Sequence, residues 1–182
     1  MSAGGLERLR VLLREEGGLI SALVPAAGEV ARANGREPPA SPARVAAEGP
    51  RAAGRRAEYE LLVEAIYEGY LLHYGSPRVV GPVEADLGLL AGDQLYAIGL
   101  ARLVALADTA AVAELADTIT LSALAHGAGE GELADAVWAA GARAVGWGAS
   151  DAHRRAKELA FAGSPEAVEA MRTSAEGVVT PR

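Results

Sequence analysis

The residues best suited to chemistry sit in two short stretches. "LLHYGSPR" (71–78) places His73 beside Tyr74, with Arg78 four residues after Tyr74, and "AGDQL" places Asp93 one helix later. An imidazole next to a phenol is equipped for acid–base work. The candidate site is therefore His73, Tyr74, Arg78 and Asp93, with Asp86 close in sequence. No third group that would orient the histidine is visible. Asp93 stands among apolar residues, so if it points inward it needs a hydrogen-bonding or cationic partner. Otherwise it locks the helix locally.

The remaining polar residues read as structural. His73, His126 and His153 lack close metal-ligand spacing, and each is expected to be a structural or surface residue. No glycine-rich loop follows a strand, and no serine occupies a nucleophile elbow. Glu130 and Glu132 bracket a glycine at a helix start, where capping and the helix dipole explain them. Asp108 and Asp117 read as solvated, Asp108 also as a helix N-cap. With no cysteine, thiolate zinc sites, disulfides and cysteine nucleophiles are excluded. No metal and no cofactor are expected.

The elements that must position these residues are helical. Leu6, Leu9, Leu12 and Leu13 share one helix face, and a second helix is expected over 19–33, bent near Pro25. Residues 35–56 change character, with four prolines, three glycines and five arginines against two glutamates. They read as a linker or surface loop with a short helical turn near 43–47, the arginines at 51–56 solvated. Helical periodicity then covers 57–73, 84–106, 109–126, 131–146 and 151–162, with Asp151 as a cap. "SPEAVEAM" opens the last helix with Ser164 as N-cap and Pro165 at its first position. No stretch alternates with a period of two. The expectation is an all-α protein, a single bundle of about seven helices. Its parts are N-terminal helices (1–34), the linker (35–56), the bundle (57–176) and a frayed tail (177–182).

One helix is unusual. "LGLLAGDQLYAIGLARL" carries Gly88, Gly92 and Gly99. Each interior glycine costs about 0.8–1 kcal/mol against alanine, and close approach of a neighbouring helix would offset that cost.

Composition narrows the function. The chain has 182 residues, 51% apolar but only 4% aromatic, and a net charge of −7. A net acidic chain is a poor nucleic-acid binder or ligand of anionic membranes. Glu7, Arg8, Arg10 and Arg14 interrupt the N-terminal region, which does not read as a signal peptide. No apolar run approaches the ~20 residues of a membrane span. The absence of cysteine fits a cytoplasmic setting.

Taken together, "LVEAIYEGYLLHYGSPR" and "LGLLAGDQLYAIGLARL" resemble the central part of trans-isoprenyl (polyprenyl) diphosphate synthases over residues 57–125. That family carries Leu-Leu-His-Asp-Asp-x-x-Asp at the end of one helix and Leu-x-Gly-Asp-(Tyr/Phe)-Leu on the next. Leu71, Leu72 and His73 match the first motif; Leu90, Gly92, Asp93 and Leu95 match the second, with Gln94 at the aromatic position. The family's aspartates, which chelate magnesium, fall on Tyr74, Gly75 and Arg78. Magnesium needs oxygen ligands, so the resemblance implies a degenerate site. The Arg-Arg-Gly between the motifs and the second aspartate-rich motif are also missing.

The pattern is similar to the small, non-catalytic component of a two-component polyprenyl diphosphate synthase, with a reduced isoprenoid-synthase-like bundle. The resemblance implies a catalytic synthase subunit as partner and a role in setting chain length, with Tyr70 at the length-gauging position. Two alternatives stand beside it. One is a generic helical interaction module that self-associates. The other is a small enzyme with a site around His73 and Asp93.

Overall fold

Arg56–Tyr74 runs nineteen residues without a proline, and apolar side chains fall on almost every side of it. Such a helix belongs inside a bundle, and this one forms the centre. The computed structural model describes residues 4–25 and 41–176. Among them are nine α-helices and no strand: α1 (Gly5–Glu16), α2 (Gly18–Ala22), α3 (Pro42–Glu48), α4 (Arg56–Tyr74), α5 (Ala85–Ala105), α6 (Thr109–Gly127), α7 (Gly131–Trp147), α8 (Asp151–Phe161) and α9 (Ala167–Glu176). The protein is an all-α bundle, with more helices than the seven expected because α2 and α3 are short.

Helix α4 packs on α5, α3 and α1, while α7 packs on α6, α9 and α3. Three apolar clusters result. Tyr59, Leu62, Ile66, Tyr70, Leu103, Leu115 and Trp138 join α4 to α5, α6 and α7. Leu121, Leu133, Val137, Ala156 and Met171 join α6 and α7 to α8 and α9. Leu9, Leu13, Ile20, Val79 and Leu95 join α1 and α2 to α5 and the loop after α4. The N-terminal helices are thus part of the bundle rather than a separate unit.

The segment expected as a linker packs from Ser41 onward. Ser41 Oγ accepts the Ala43 N–H (3.3 Å), Pro42 opens α3, and Ala43, Ala46 and Ala47 are buried. A Cβ at Gly49 would collide with the backbone of Gly146, so α3 crosses α7 at near-contact distance. Pro42 sits at the start of α3, and Gly49 and Pro50 follow its end at this crossing. Arg51, expected in solvent, donates to Asp108 Oδ1 (2.8 Å), and Arg55 donates to the Leu106 carbonyl (3.2 Å). Residues 26–40, including most of the expected 19–33 helix, and the tail 177–182 lie outside the described residues.

Helix boundaries follow local capping. Asp108 caps α6 by accepting the Ala111 N–H (3.0 Å), but it is buried rather than solvated. Ala107, at φ +58°, makes the left-handed turn that closes α5, and Asp108 N–H reaches back to the Leu103 carbonyl (3.3 Å). Ser150, not Asp151, caps α8 through its acceptance of the His153 N–H (3.1 Å). Ser164 Oγ accepts the Glu166 N–H (3.3 Å), although regular helix begins only at Ala167.

Candidate functional site

Helices α4 and α5 meet through missing side chains. A Cβ at Gly69 would lie 2.9 Å from the Gly92 carbonyl, and one at Gly99 would strike Ile66. A Cβ at Gly92 would lie 2.6 Å from His73 Nε2. Gly92 therefore makes room for an imidazole to lie flat on the backbone of α5. Gly88 takes no part in the crossing, since its nearest neighbour is Val83 in the preceding loop, 3.4 Å from the Cβ position. Gly69, on the facing helix, is the partner that sequence reasoning missed.

This crossing brings His73 and Asp93 together. His73 Nε2 and Asp93 Oδ1 are 3.2 Å apart, but off the line a hydrogen bond requires, so Nε2 is buried without a hydrogen-bond partner. The Asp93 side chain is 69% exposed, which removes the burial problem raised by its apolar neighbours. The His73 ring stacks on Tyr96 of α5 (5.4 Å, 5°), and Tyr74 stacks on His126 of α6 (4.4 Å, 3°). The end of α4 thus bridges α5 and α6 with two aromatic stacks.

The aromatic layer continues inward. Tyr70 Oη and His126 Nε2 share a hydrogen bond (2.8 Å), and Tyr70 and Tyr67 both pack against Trp138 of α7. Burial first, then the charge of Asp135, push the Tyr70 phenol up to about 12, so it stays protonated at neutral pH. Burial raises Tyr96 further still. His126, expected to be structural or superficial, is a member of this layer.

Arg78 goes elsewhere. Its guanidinium lies over the Tyr67 ring (4.9 Å) and pairs with Glu64 (2.6 Å) and Glu68 (3.3 Å) of α4. Glu68 is fully buried. Its Oε1 accepts the backbone N–H groups of Arg78 (2.6 Å), Val79 (2.6 Å) and Val80 (3.2 Å). Glu64 also accepts from Ser41 Oγ (2.7 Å). These two carboxylates strap the loop after α4 to the helix and tie in the start of α3. Neither was singled out in the sequence, although their spacing of four within "LVEAIYEGY" puts both on one face beside an otherwise unexplained Arg78.

Of the four candidate residues, then, His73, Tyr74 and Asp93 form one neighbourhood, and Arg78 belongs to a structural clamp. The lone pairs of Glu68 are committed to N–H groups, and no group of three or more metal-ligating side chains occurs among the described residues. His73 has no oriented partner beyond an exposed aspartate.

A second buried network lies between α6 and α8. His153 Nε2 meets Glu114 Oε2 (2.8 Å), and Lys157 pairs with Glu114 (2.8 Å) and Asp117 (2.7 Å). Burial opposes the Glu114 charge, but the hydrogen bonds from His153 and Lys157 outweigh it and hold the carboxyl below its ordinary value. This network turns the charges of α6 toward α8. The other exposed positions of α6, Thr109, Ala110, Ala113, Ala116, Thr120, Leu124 and Gly127, carry none. On α5, Leu90 and Val104 are each 58% exposed, and Asp93, Ala97 and Ala101 are exposed between them.

Contrary to expectation, α5 is long and apolar enough to cross a membrane by length and composition. Its Gly88, Ala91, Leu95 and Leu103 are nevertheless packed within the bundle.

No family model matches the chain, and no curated protein or solved structure matches it.

Proposed function

We propose that this chain is a non-catalytic accessory subunit of a polyprenyl diphosphate synthase, which binds a catalytic helical partner and modulates chain elongation. The observation that carries this reading is the set of exposed apolar side chains on α5 and α6: Leu90 and Val104 are each 58% exposed and Leu124 is 54% exposed. In a chain with 23% charged residues, the exposed charge of α6 is limited to Asp117, 40% exposed where it pairs with Lys157, and α5 adds Leu90 and Val104 beside Asp86 and Asp93. Exposed apolar side chains gathered on neighbouring helices mark interaction sites. Two helices of about 20 residues, ~30 Å long and ~10 Å wide each, offer ~600 Å² per partner, or ~1,200 Å² in total. That clears the ~1,000 Å² expected of a specific interface.

Two further features support the reading. The motif resemblance covers the helix pair that forms the α4–α5 crossing. The positions of the family's magnesium-binding aspartates hold Tyr74, Gly75 and Arg78, and Arg78 is committed to Glu64 and Glu68. A subunit that leaves ionisation of the allylic diphosphate to its partner needs no such aspartates. The same face would also take a second copy of this chain, which is the alternative reading as a self-associating module. A lipid surface fits it poorly, because Asp86 and Asp93 are exposed on α5 and the net charge is −7.

The test is to recover tagged protein from native lysate and assay the recovered material for polyprenyl diphosphate formation with magnesium. The expected result is a co-purifying catalytic synthase whose rate or product length changes when this chain is added or removed. Recovery of this chain alone, with no synthase activity, refutes the subunit reading; a homodimer by sedimentation would then support self-association. Binding to lipid vesicles instead would refute both.

A further inference from the structure

The last turn of α7 carries a cation without an ion-pair partner among the described residues. Arg143 is half-buried, and its guanidinium lies 4.0 Å from the centre of the Trp147 ring. No carboxylate among the described residues pairs with it. A guanidinium held over an indole keeps N–H groups available to donate, and a planar carboxylate suits them. Arg143 and Trp147 line a cleft of about 350 Å³ between α7, α8 and α9. That volume lies at the small end of the ~300–1,000 Å³ typical of small-molecule sites.

The other walls restrict what enters. Ala140 and Ala144 of α7 present small apolar surface. His153, 4% exposed, is fixed on one side by Glu114 (2.8 Å) and on the other by Ser174 Oγ (3.4 Å). Ser174 in turn donates to the Met171 carbonyl (2.8 Å). These polar groups are committed to partners within the protein. The carboxylate of Glu176, which also lines the cleft, opposes ligands of high negative charge.

We infer that the cleft binds a small monocarboxylate, its carboxylate on Arg143 and a short apolar stem against the alanines and the Trp147 face. This site is independent of the α5–α6 face and does not rest on the subunit reading.

The chain has two tryptophans, and Trp138, buried in the aromatic layer, serves as an internal control. Sodium butyrate titrated into the full-length protein should move the Trp147 indole N–H NMR signal saturably and leave that of Trp138 in place. Arg143→Gln should weaken this response at least tenfold while the thermal midpoint stays close to that of the parent. Butanol should give no saturable shift, and inorganic phosphate a response at least tenfold weaker than butyrate. In Glu176→Gln, which changes an exposed side chain, the gap between phosphate and butyrate should narrow. Equal responses to butyrate and butanol, or undiminished butyrate binding by Arg143→Gln, would overturn the proposal. So would phosphate binding as tight as butyrate in the parent protein.

Discussion

Asp108 joins three elements through one carboxylate. Oδ1 accepts the Ala111 N–H (3.0 Å) and the Arg51 guanidinium (2.8 Å), and Oδ2 accepts the buried Tyr59 hydroxyl. It therefore caps α6 and ties the turn after α3 to the start of α4. Asp108→Ala should cost about 2–4 kcal/mol, combining a lost N-cap with a stranded phenol and guanidinium; urea unfolding at neutral pH measures it. Burial opposes the Asp108 charge, but the bonds from Tyr59, Ala111 and Arg51 outweigh it and hold the carboxyl below its ordinary 3.8. Glu114 is likewise held below 4.5. Both groups contribute stability that is fully present above those values and is lost as pH falls through the lower folded-state values. Unfolding free energy should thus drop steeply below about pH 4, and more shallowly in Asp108→Ala. An identical acid slope in the two proteins would remove Asp108 from this role. The N-cap was legible in the sequence from an Asp placed before a periodic apolar run. Its burial was not, because Arg51 and Tyr59 are distant in sequence.

At the scale of elements, the glycines of α5 divide by what they face. Gly99 meets Ile66 and the Leu62 carbonyl across the crossing with α4, while Gly88 has only Val83 at 3.4 Å. Gly88→Ala should stabilise the protein by about 0.5–1 kcal/mol, the gain in helix propensity. Gly99→Ala should destabilise it by about 1–3 kcal/mol, because overpacking at a tight crossing outweighs that gain. Thermal melts of the two variants should shift in opposite directions; a matched shift would mean the crossing yields freely. The sequence marked all three glycines equally, since spacing along one helix does not say which face the neighbour takes. Helix α3 was obscured for a related reason. Its buried residues are alanines, which produce no periodic bulk, and only the close approach of α7 explains why alanine suffices.

For the molecule as a whole, the distribution of charge separates the buried surfaces from one that remains open. Glu114 and Asp117 are drawn to Lys157 of α8, Arg102 of α5 is drawn to Glu16 of α1, and the outer face of α5 and α6 keeps Asp86 and Asp93 as its exposed carboxylates beside Leu90, Val104 and Leu124. Leu90→Glu with Val104→Glu should leave the melting curve within a few degrees of the parent, because both side chains are 58% exposed. The double change should abolish association through this face, since buried unpaired carboxylates are too costly to tolerate. Analytical ultracentrifugation with and without the recovered partner measures it, and association at parental strength would exclude α5–α6 as the interface.

The amino-acid sequence by itself determined that the chain is helical and where most helices run. Those are local properties, set by periodicity, capping and residue type. Only the tertiary structure decided that Arg78 clamps a loop through Glu64 and Glu68, that Gly92 seats the His73 ring, and that Arg143 lies over Trp147 with no ion-pair partner among the described residues. Each depends on contacts between residues that the chain brings together only after the helices pack, and no one-dimensional pattern specifies which faces will meet.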